Sequence, residues 1–263
     1  MRCSVSLPDD RRTSSPRIAV VVPAFNEEAL IAQTLASIPA YVTDVVVVDD
    51  ASLDGTSEIV KNVDDARVHL VRHAVNEGVG AAIATGYRVA FARGADVCAV
   101  MAGDGQMHPG DLGRLLLPIL RGDADYVKGD RLSFPGVHRH MPWTRIVGNF
   151  VLALGTRLVT GLTVHDSQCG YTALSRSAAE QLPLQQLWAR YGYPNDLLGM
   201  LADQGLTVAE VTVRPVYADE QSGVRLYHAL FVVPYVLLRV LARRTLGSLS
   251  GARLSESELP LEP

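Results

Sequence analysis

Carboxylates and amides recur in this chain at the points where apolar runs break off. Asn26 and Glu27 follow "RIAVVVPAF", Asp49 and Asp50 end "DVVVVDD", His73 and Asn76 follow "VHLVR", and Asp104 and Gln106 follow "VCAVMAG". Asp104 stands between Gly103 and Gly105, where the backbone can turn sharply and a bulky ligand can approach closely. A carboxylate and an amide two positions apart in an extended segment leave the same sheet edge together. Together they suggest a site for a hard metal or a phosphate. Taken alone, the pair Asp49-Asp50 is explained as well by helix capping. Similar chemistry at four successive run ends points instead to one shared pocket for a hard metal or a phosphate.

The elements that must position these residues follow from the pattern. Continuous β-branched runs predict strands buried on both faces, ending at Phe25, Asp50, His73 and Ala102. Helical patterns lie between them, from Glu27 to Ile38, through Val63 with Asp54 or Thr56 as cap, and from Gly78 to Arg93. Pro109 opens a further helix. This alternation predicts an α/β fold with a mostly parallel sheet and helices on both faces. Ligands of such sheets bind outside the carboxyl ends of the strands, where the polar residues above collect. Gly78-Val-Gly80 lacks the third glycine of a dinucleotide fingerprint, and Asp96 opens a strand where that fingerprint needs an acid closing one. A hydride-transferring enzyme is therefore disfavoured. So is a nucleotidyltransferase, because "PAFNEE" is acidic where a phosphate loop would be glycine-rich and basic.

A net charge of −4 argues against a nucleic-acid partner. Cys3, Cys98 and Cys169 are isolated and suit a reducing compartment. The N-terminus has no apolar signal region, and no apolar stretch is long enough to cross a bilayer. Residues 1–16 and 247–263 read as disordered tails around a domain at 17–216, with a basic loop and an interfacial helix at 217–246. That last segment carries an apolar stretch from Tyr227 ending in Arg239, Arg243 and Arg244, a composition suited to lying on an anionic leaflet.

"VVPAFNEE", "VVVVDDASLDGT", "NEGVGAAIATG" and "GDGQMHP", in this order and spacing, resemble the family-2 glycosyltransferases of GT-A fold, and within them the polyprenyl-phosphate branch. The resemblance covers about Arg17 to Val216. It implies an inverting transfer of sugar from a UDP- or GDP-linked donor, with Mg²⁺ or Mn²⁺ bridging the diphosphate. Carried over, Pro23, Ala24, Asn26, Glu27, Asp49, Asp50, Asn76, Gly78 and Asp104 bind the nucleotide-sugar, and Asp104 and Gln106 hold the metal. The family's first acid at this strand end is Ala102 here, which removes one charge from the metal site. "YVKGDRL" matches the family's short basic strand end and places Arg131 at the diphosphate or acceptor. The stretch from Met141 to Tyr171 matches the segment that follows, through Trp143, Arg145, Asn149, Asp166, Gln168 and Gly170. Thr172 stands where an arginine often follows.

Arg131, Arg145, Gln168 and Arg225 are then the expected contacts of an acceptor phosphate, Arg225 being offset by about one from the family's basic position. Asp104, Arg131, Asp166 and Asp196 are the expected catalytic groups, with Asp166 the fallback base and Asp196 at a position where the family commonly has glutamate. A phosphate acceptor is already ionised near neutral pH and needs no base, whereas a sugar hydroxyl does. The acidic loop and Trp motif of hydroxyl-acceptor members are missing at "HDSQCGY", which favours a polyprenyl or dolichyl phosphate. A soluble transferase acting on a saccharide or small-molecule hydroxyl, and a sugar-nucleotide-binding protein without turnover, remain alternatives. The expected setting is cytoplasmic, peripheral on the inner face of the membrane through residues 227–244, with a homo-oligomer left open.

Overall fold

The structure is a computed structural model describing residues 15–216 and 228–256. A seven-stranded sheet runs in the order β3-β2-β1-β4-β6-β5-β7. Its strands are β1 (Ile18–Ala24), β2 (Asp44–Asp49), β3 (Val68–Arg72), β4 (Val97–Val100), β5 (Tyr126–Asp130), β6 (Thr172–Ser175) and β7 (Val208–Thr212). The helices are α1 (Ile31–Ser37), α2 (Thr56–Lys61), α3 (Val79–Ala92), α4 (Leu112–Leu120), α5 (Trp143–Thr160), α6 (Arg176–Gln181), α7 (Tyr193–Asp203) and α8 (Val233–Glu256).

The first four strands are the parallel neighbours that their β-branched runs predict. Alternate residues of β1 feed opposite cores, with Val20 and Val22 in one and Ala19 and Val21 in the other. That two-sided burial is why the run is continuously apolar. β6 is the exception to parallel pairing, antiparallel to both β4 and β5. The reversal brings the end of β5 and the loop before β6 to the edge where β1, β2 and β4 deliver their polar residues.

α3 lies close on the sheet because Gly86 has no side chain. A Cβ added there would sit 2.3 Å from Val21 Cγ1. Gly86→Ala should therefore lower the urea midpoint, because a contact this short calls for overpacking near the upper end of its range, about 3 kcal/mol, against a helix-propensity gain of about 1 kcal/mol. An unchanged midpoint would show that helix and sheet can separate freely at this point.

The C-terminal segment departs from expectation in two ways. α8 continues past residue 246, so the boundary placed there falls inside a helix running to Glu256. Its arginines also point inward. Arg239 and Arg243 pair with Asp196 of α7 at 2.8 and 3.1 Å, and Arg243 and Arg244 pair with Asp203 at 2.8 and 2.9 Å. Helix periodicity does not distinguish a solvent-facing arginine from one facing a buried acid. Among the described residues, no helix is long and apolar enough to cross a membrane.

Candidate active site

The loops after β1 and β2 are stitched together. Asn26, at φ +58°, accepts from the Leu53 N–H through Oδ1 at 2.8 Å, and its own N–H meets Ser52 Oγ at 2.9 Å. The Glu27 N–H donates to Thr56 Oγ1 at 2.8 Å. Pro23 and Ala24 are buried last rungs of β1, their carbonyls taking the N–H groups of Gly103 and Asp50.

The acidic pair is engaged within the protein. Asp49 is fully buried and accepts from the Ser52 N–H at 2.8 Å and from the Ser57 hydroxyl. Burial pushes its carboxyl upward, but those hydrogen bonds and the nearby Arg72 outweigh this and hold it below the ordinary range. Asp50 accepts from His73 Nδ1 at 2.7 Å and from the N–H groups of Glu77 and Gly78 at 2.9 and 2.7 Å. These carboxylates shape the loop that a nucleotide would meet, and both are 3% exposed or less.

Gly78 is also closely packed. At φ +105°, a Cβ there would lie 2.5 Å from the Ala189 carbonyl oxygen, and one at Gly80 would lie 2.1 Å from the Trp188 oxygen. The glycines admit the backbone of residues 188–189 at close range. Asn76 stays at the rim, where Arg190 reaches its Oδ1 at 3.4 Å.

At the end of β4, the Gln106 N–H closes a turn onto Asp104 Oδ1 at 3.0 Å, and Gly105 takes φ +69°. Both side chains are partly exposed at this edge. Glu27 lies alongside, since a Cβ at Gly103 would meet its Cγ at 3.4 Å. Carboxylate and amide oxygens at one strand end fit a hard divalent ion, provided that donor phosphates complete the shell.

The loop after β5 is built on a buried ion pair. Arg131, just past β5, grips fully buried Asp166 with two parallel bonds, Nε to Oδ2 at 2.7 Å and Nη2 to Oδ1 at 3.0 Å. Burial raises the Asp166 carboxyl, but the Arg131 charge and hydrogen bonds prevail, leaving it below the usual range. A carboxylate so held is a poor proton acceptor, and the structure gives Asp166 the work of aiming Arg131. Its folded-state pKa lies below the unfolded value. Its stabilisation is therefore complete above about pH 4 and is lost as pH falls through the folded value. Asp166→Asn should destabilise by about 3–5 kcal/mol at pH 7, with a gap from the parent that narrows in acid. Urea midpoints across that range measure it, and a constant gap would contradict the pair's role.

Two supports of this pair are not apparent in sequence. Lys128, fully buried on β5, donates from Nζ to the Cys169 carbonyl at 2.5 Å, and burial lowers its pKa. Glu210 on β7 accepts from the N–H groups of His165 and Asp166 at 2.8 and 3.1 Å, and from His165 Nδ1 at 2.7 Å. Asp130, His165 and Glu210 could together ligate a metal; in this structure Glu210 is engaged by His165, and Asp130 accepts from the N–H groups of Leu132 and Ser133. The register Lys128↔Glu210 across the parallel pair β5–β7 was the signal, visible once that pairing is known.

Gln168 donates from its side chain to Ser167 and to Asn195 Oδ1 at 2.9 and 3.0 Å, tying the loop to α7. Arg145 lies in the first turn of α5, partly buried. Arg225 lies outside the described residues. Asp196 accepts from Trp188 N–H, Arg239 and Arg243, and is fully buried. So engaged, it is not available as a base, and its expected catalytic part gives way to a structural one. The two halves of the site meet where Tyr171 Oη donates to the His108 carbonyl at 3.3 Å and Met107 packs on Gly170.

A family model described as Glycosyl transferase family 2 matches residues 19–182. The chain is 32% identical over 217 residues to a UDP-N-acetylglucosamine–dolichyl-phosphate N-acetylglucosaminyltransferase of Methanococcus voltae, covering 77% of this chain and 86% of the relative. It is 30% identical to a polyprenol monophosphomannose synthase of Mycolicibacterium smegmatis, covering 86% and 89%. Among solved structures it resembles glucosyl-3-phosphoglycerate synthase of Mycobacterium tuberculosis in complex with uridine-diphosphate, with TM-score 0.67, 25% identity, and coverage of 86% and 80%. The strand-end pocket, the arginine-gripped loop and the matched residues lead to one assignment: the chain belongs to glycosyl transferase family 2.

Proposed function

We propose that the protein moves a sugar, with inversion, from a UDP- or GDP-linked donor to the phosphate of a polyprenyl or dolichyl phosphate. The observation that carries this is the Arg131–Asp166 pair. The carboxylate best placed to serve as a base is held by a guanidinium, while the guanidinium supplies the planar charge that suits a phosphate. The two curated relatives described above are named for dolichyl or polyprenyl acceptors, which supports the same choice.

In the reaction, an acceptor phosphate oxygen attacks the anomeric carbon as its bond to the donor diphosphate breaks. The nucleoside diphosphate leaves with the electron pair, and no proton has to be removed. Arg131 and Arg145 hold the acceptor phosphate, Asp166 and Glu210 keep Arg131 aimed, and the strand-end loops orient the donor. A divalent ion held by Asp104 and Gln106 would supply positive charge to the departing diphosphate.

We place this chemistry at a membrane surface, cytoplasmic and peripheral. α5 presents Trp143, Val147, Phe150, Val151, Leu154 and Leu158 on one exposed stripe, and α8 with the turn before it adds Leu230, Phe231, Tyr235 and Leu238. With Arg239, Arg243 and Arg244 turned inward, this contact is apolar insertion and not charge attraction. Binding to neutral phosphatidylcholine vesicles should survive high salt. A contact requiring anionic lipid, or a stable dimer that hides these helices, would replace it.

The test of function is a panel of UDP- and GDP-sugars, each offered with polyprenyl phosphate, polyprenol and free saccharides, with nucleotide release followed. Release that depends on the lipid phosphate is expected. Release that depends on a saccharide hydroxyl would overturn the proposal.

A further inference from the structure

The C-terminal helix is fastened to the donor side of the pocket as well as to the acceptor side. Asp196 Oδ2 accepts from the Trp188 N–H and from Arg239 Nη1, both at 2.8 Å, and Arg239 Nη2 also reaches the Gln186 carbonyl at 3.2 Å. The Arg239 guanidinium lies over the Trp188 indole at 5.8 Å, and Tyr235 of α8 packs on the same ring at 5.7 Å. Trp188 Nε1 donates to the Tyr191 carbonyl at 2.8 Å, so the indole braces the loop's tip from within.

From this brace the loop runs along the head of α3. The Ala189 carbonyl takes the Ala81 N–H at 3.0 Å, and Arg190 reaches both the carbonyl and the side chain of Asn76. Gly78 and Gly80 leave no space between loop and helix. On the other side, Gly199 lets α8 close on α7, since a Cβ there would fall 2.5 Å from Val240 Cγ1. The donor-side strand ends, the 186–192 loop, α7 and α8 therefore form a continuous chain of contacts.

We propose that the 186–192 loop is a wall of the donor pocket, with Tyr191 as its donor-contacting residue, and that Asp196, Arg239 and Trp188 are positioning residues through which α8 sets donor affinity. The proposal rests on the strand ends being the nucleotide-sugar site. Tyr191 stands where the negative charges of Asp104 and Glu27 reach its phenol. Its phenol can donate a hydrogen bond to a diphosphate or sugar hydroxyl. Arg239 is worth more to the loop than a surface ion pair, because Asp196 is fully buried and loses a charge-assisted bond when the arginine goes. The helix is thereby a part of donor recognition, beyond any contact it makes with lipid.

The experiment measures binding of UDP and of GDP, each with MnCl₂, to the full chain by calorimetry, with no acceptor present. Arg239→Gln should weaken the preferred nucleotide about tenfold, the loss of one charge-assisted hydrogen bond. In turnover assays the same variant should raise the donor KM and leave the acceptor KM unchanged. Faster hydrogen exchange at the Ala81 amide, whose partner is Ala189, should accompany the loss. Tyr191→Phe leaves the clasp intact and should weaken the nucleotide by a similar factor, so the outcome does not depend on whether Arg239→Gln folds. Arg239→Lys should recover little, because an ammonium cannot reach Asp196 and Gln186 as one planar fork. Unchanged nucleotide affinity in Arg239→Gln and Tyr191→Phe, or a loss confined to the acceptor KM, would overturn the proposal. Because no acceptor enters the binding measurement, that result would leave the polyprenyl-phosphate assignment standing. Transfer to a hydroxyl acceptor would sink that assignment without touching this one.

Discussion

Asp104→Asn should lower kcat by about 10³-fold or more while the protein remains folded, the scale set by losing a preorganised charge contact to a leaving group. The fold should survive because the asparagine oxygen can still take the Gln106 N–H that closes the turn at 3.0 Å. What disappears is negative charge. With Ala102 in place of the family's first acid, Asp104 is the carboxylate remaining on this strand end, and Gln106 is a neutral donor. The variant should also need far more Mn²⁺ for its residual rate, because an amide oxygen binds a hard cation more weakly than a carboxylate does. Full activity in the variant, or in the parent with chelator present, would show that the diphosphate leaves without a metal at this position.

Arg131→Ala should have two separable effects. The first is loss of transfer, by about 10²–10³-fold in kcat/KM for the acceptor, because the phosphate loses a two-pronged cation. The second is destabilisation by about 3–5 kcal/mol, because fully buried Asp166 is left with an uncompensated charge. Arg131→Lys separates them. A lysine restores charge near Asp166 and so returns part of the stability, but it cannot reproduce the parallel contacts at 2.7 and 3.0 Å. Initial rates at varied acceptor concentration, beside urea midpoints, measure both. A lysine variant with full activity would mean that Arg131 acts as a point charge and that its aim by Asp166 is irrelevant to transfer.

The sheet and the location of the site were legible in sequence for a physical reason. A strand buried on both faces must be continuously apolar, so the runs ending near Ala24, Asp49 and Val100 announced themselves, and the polar residues after them had to emerge at one edge; β3, expected to be buried, is instead a half-buried edge strand, which is why His69 and Arg72 fit in it. The work of individual residues was less legible, because it depends on partners far away in the chain. Nothing beside Asp50 in the chain shows that His73 and Gly78 engage it. Gly78 is permissive toward a phosphate or toward a backbone carbonyl, and only the path of residues 186–192 shows that a carbonyl lies against it. Arg239 and Arg243 follow a helical spacing that suits a membrane surface or a buried acid equally, and Asp196, 43 and 47 positions away, settles the matter. Lys128 was hidden in a short strand whose own pattern says nothing of Cys169.

The central claim, a phosphate acceptor gripped by Arg131, is tested most directly by comparing two lipids that differ only at the reacting group. The full chain, its preferred labelled nucleotide-sugar and MnCl₂ are incubated with polyprenyl phosphate or with the corresponding polyprenol in the same vesicles, and label in the extracted lipid is followed. Transfer to the phosphate alone, falling with Arg131→Ala, is the predicted result. Equal transfer to the polyprenol hydroxyl, or transfer to the phosphate that does not change when Arg131 is removed, would contradict it.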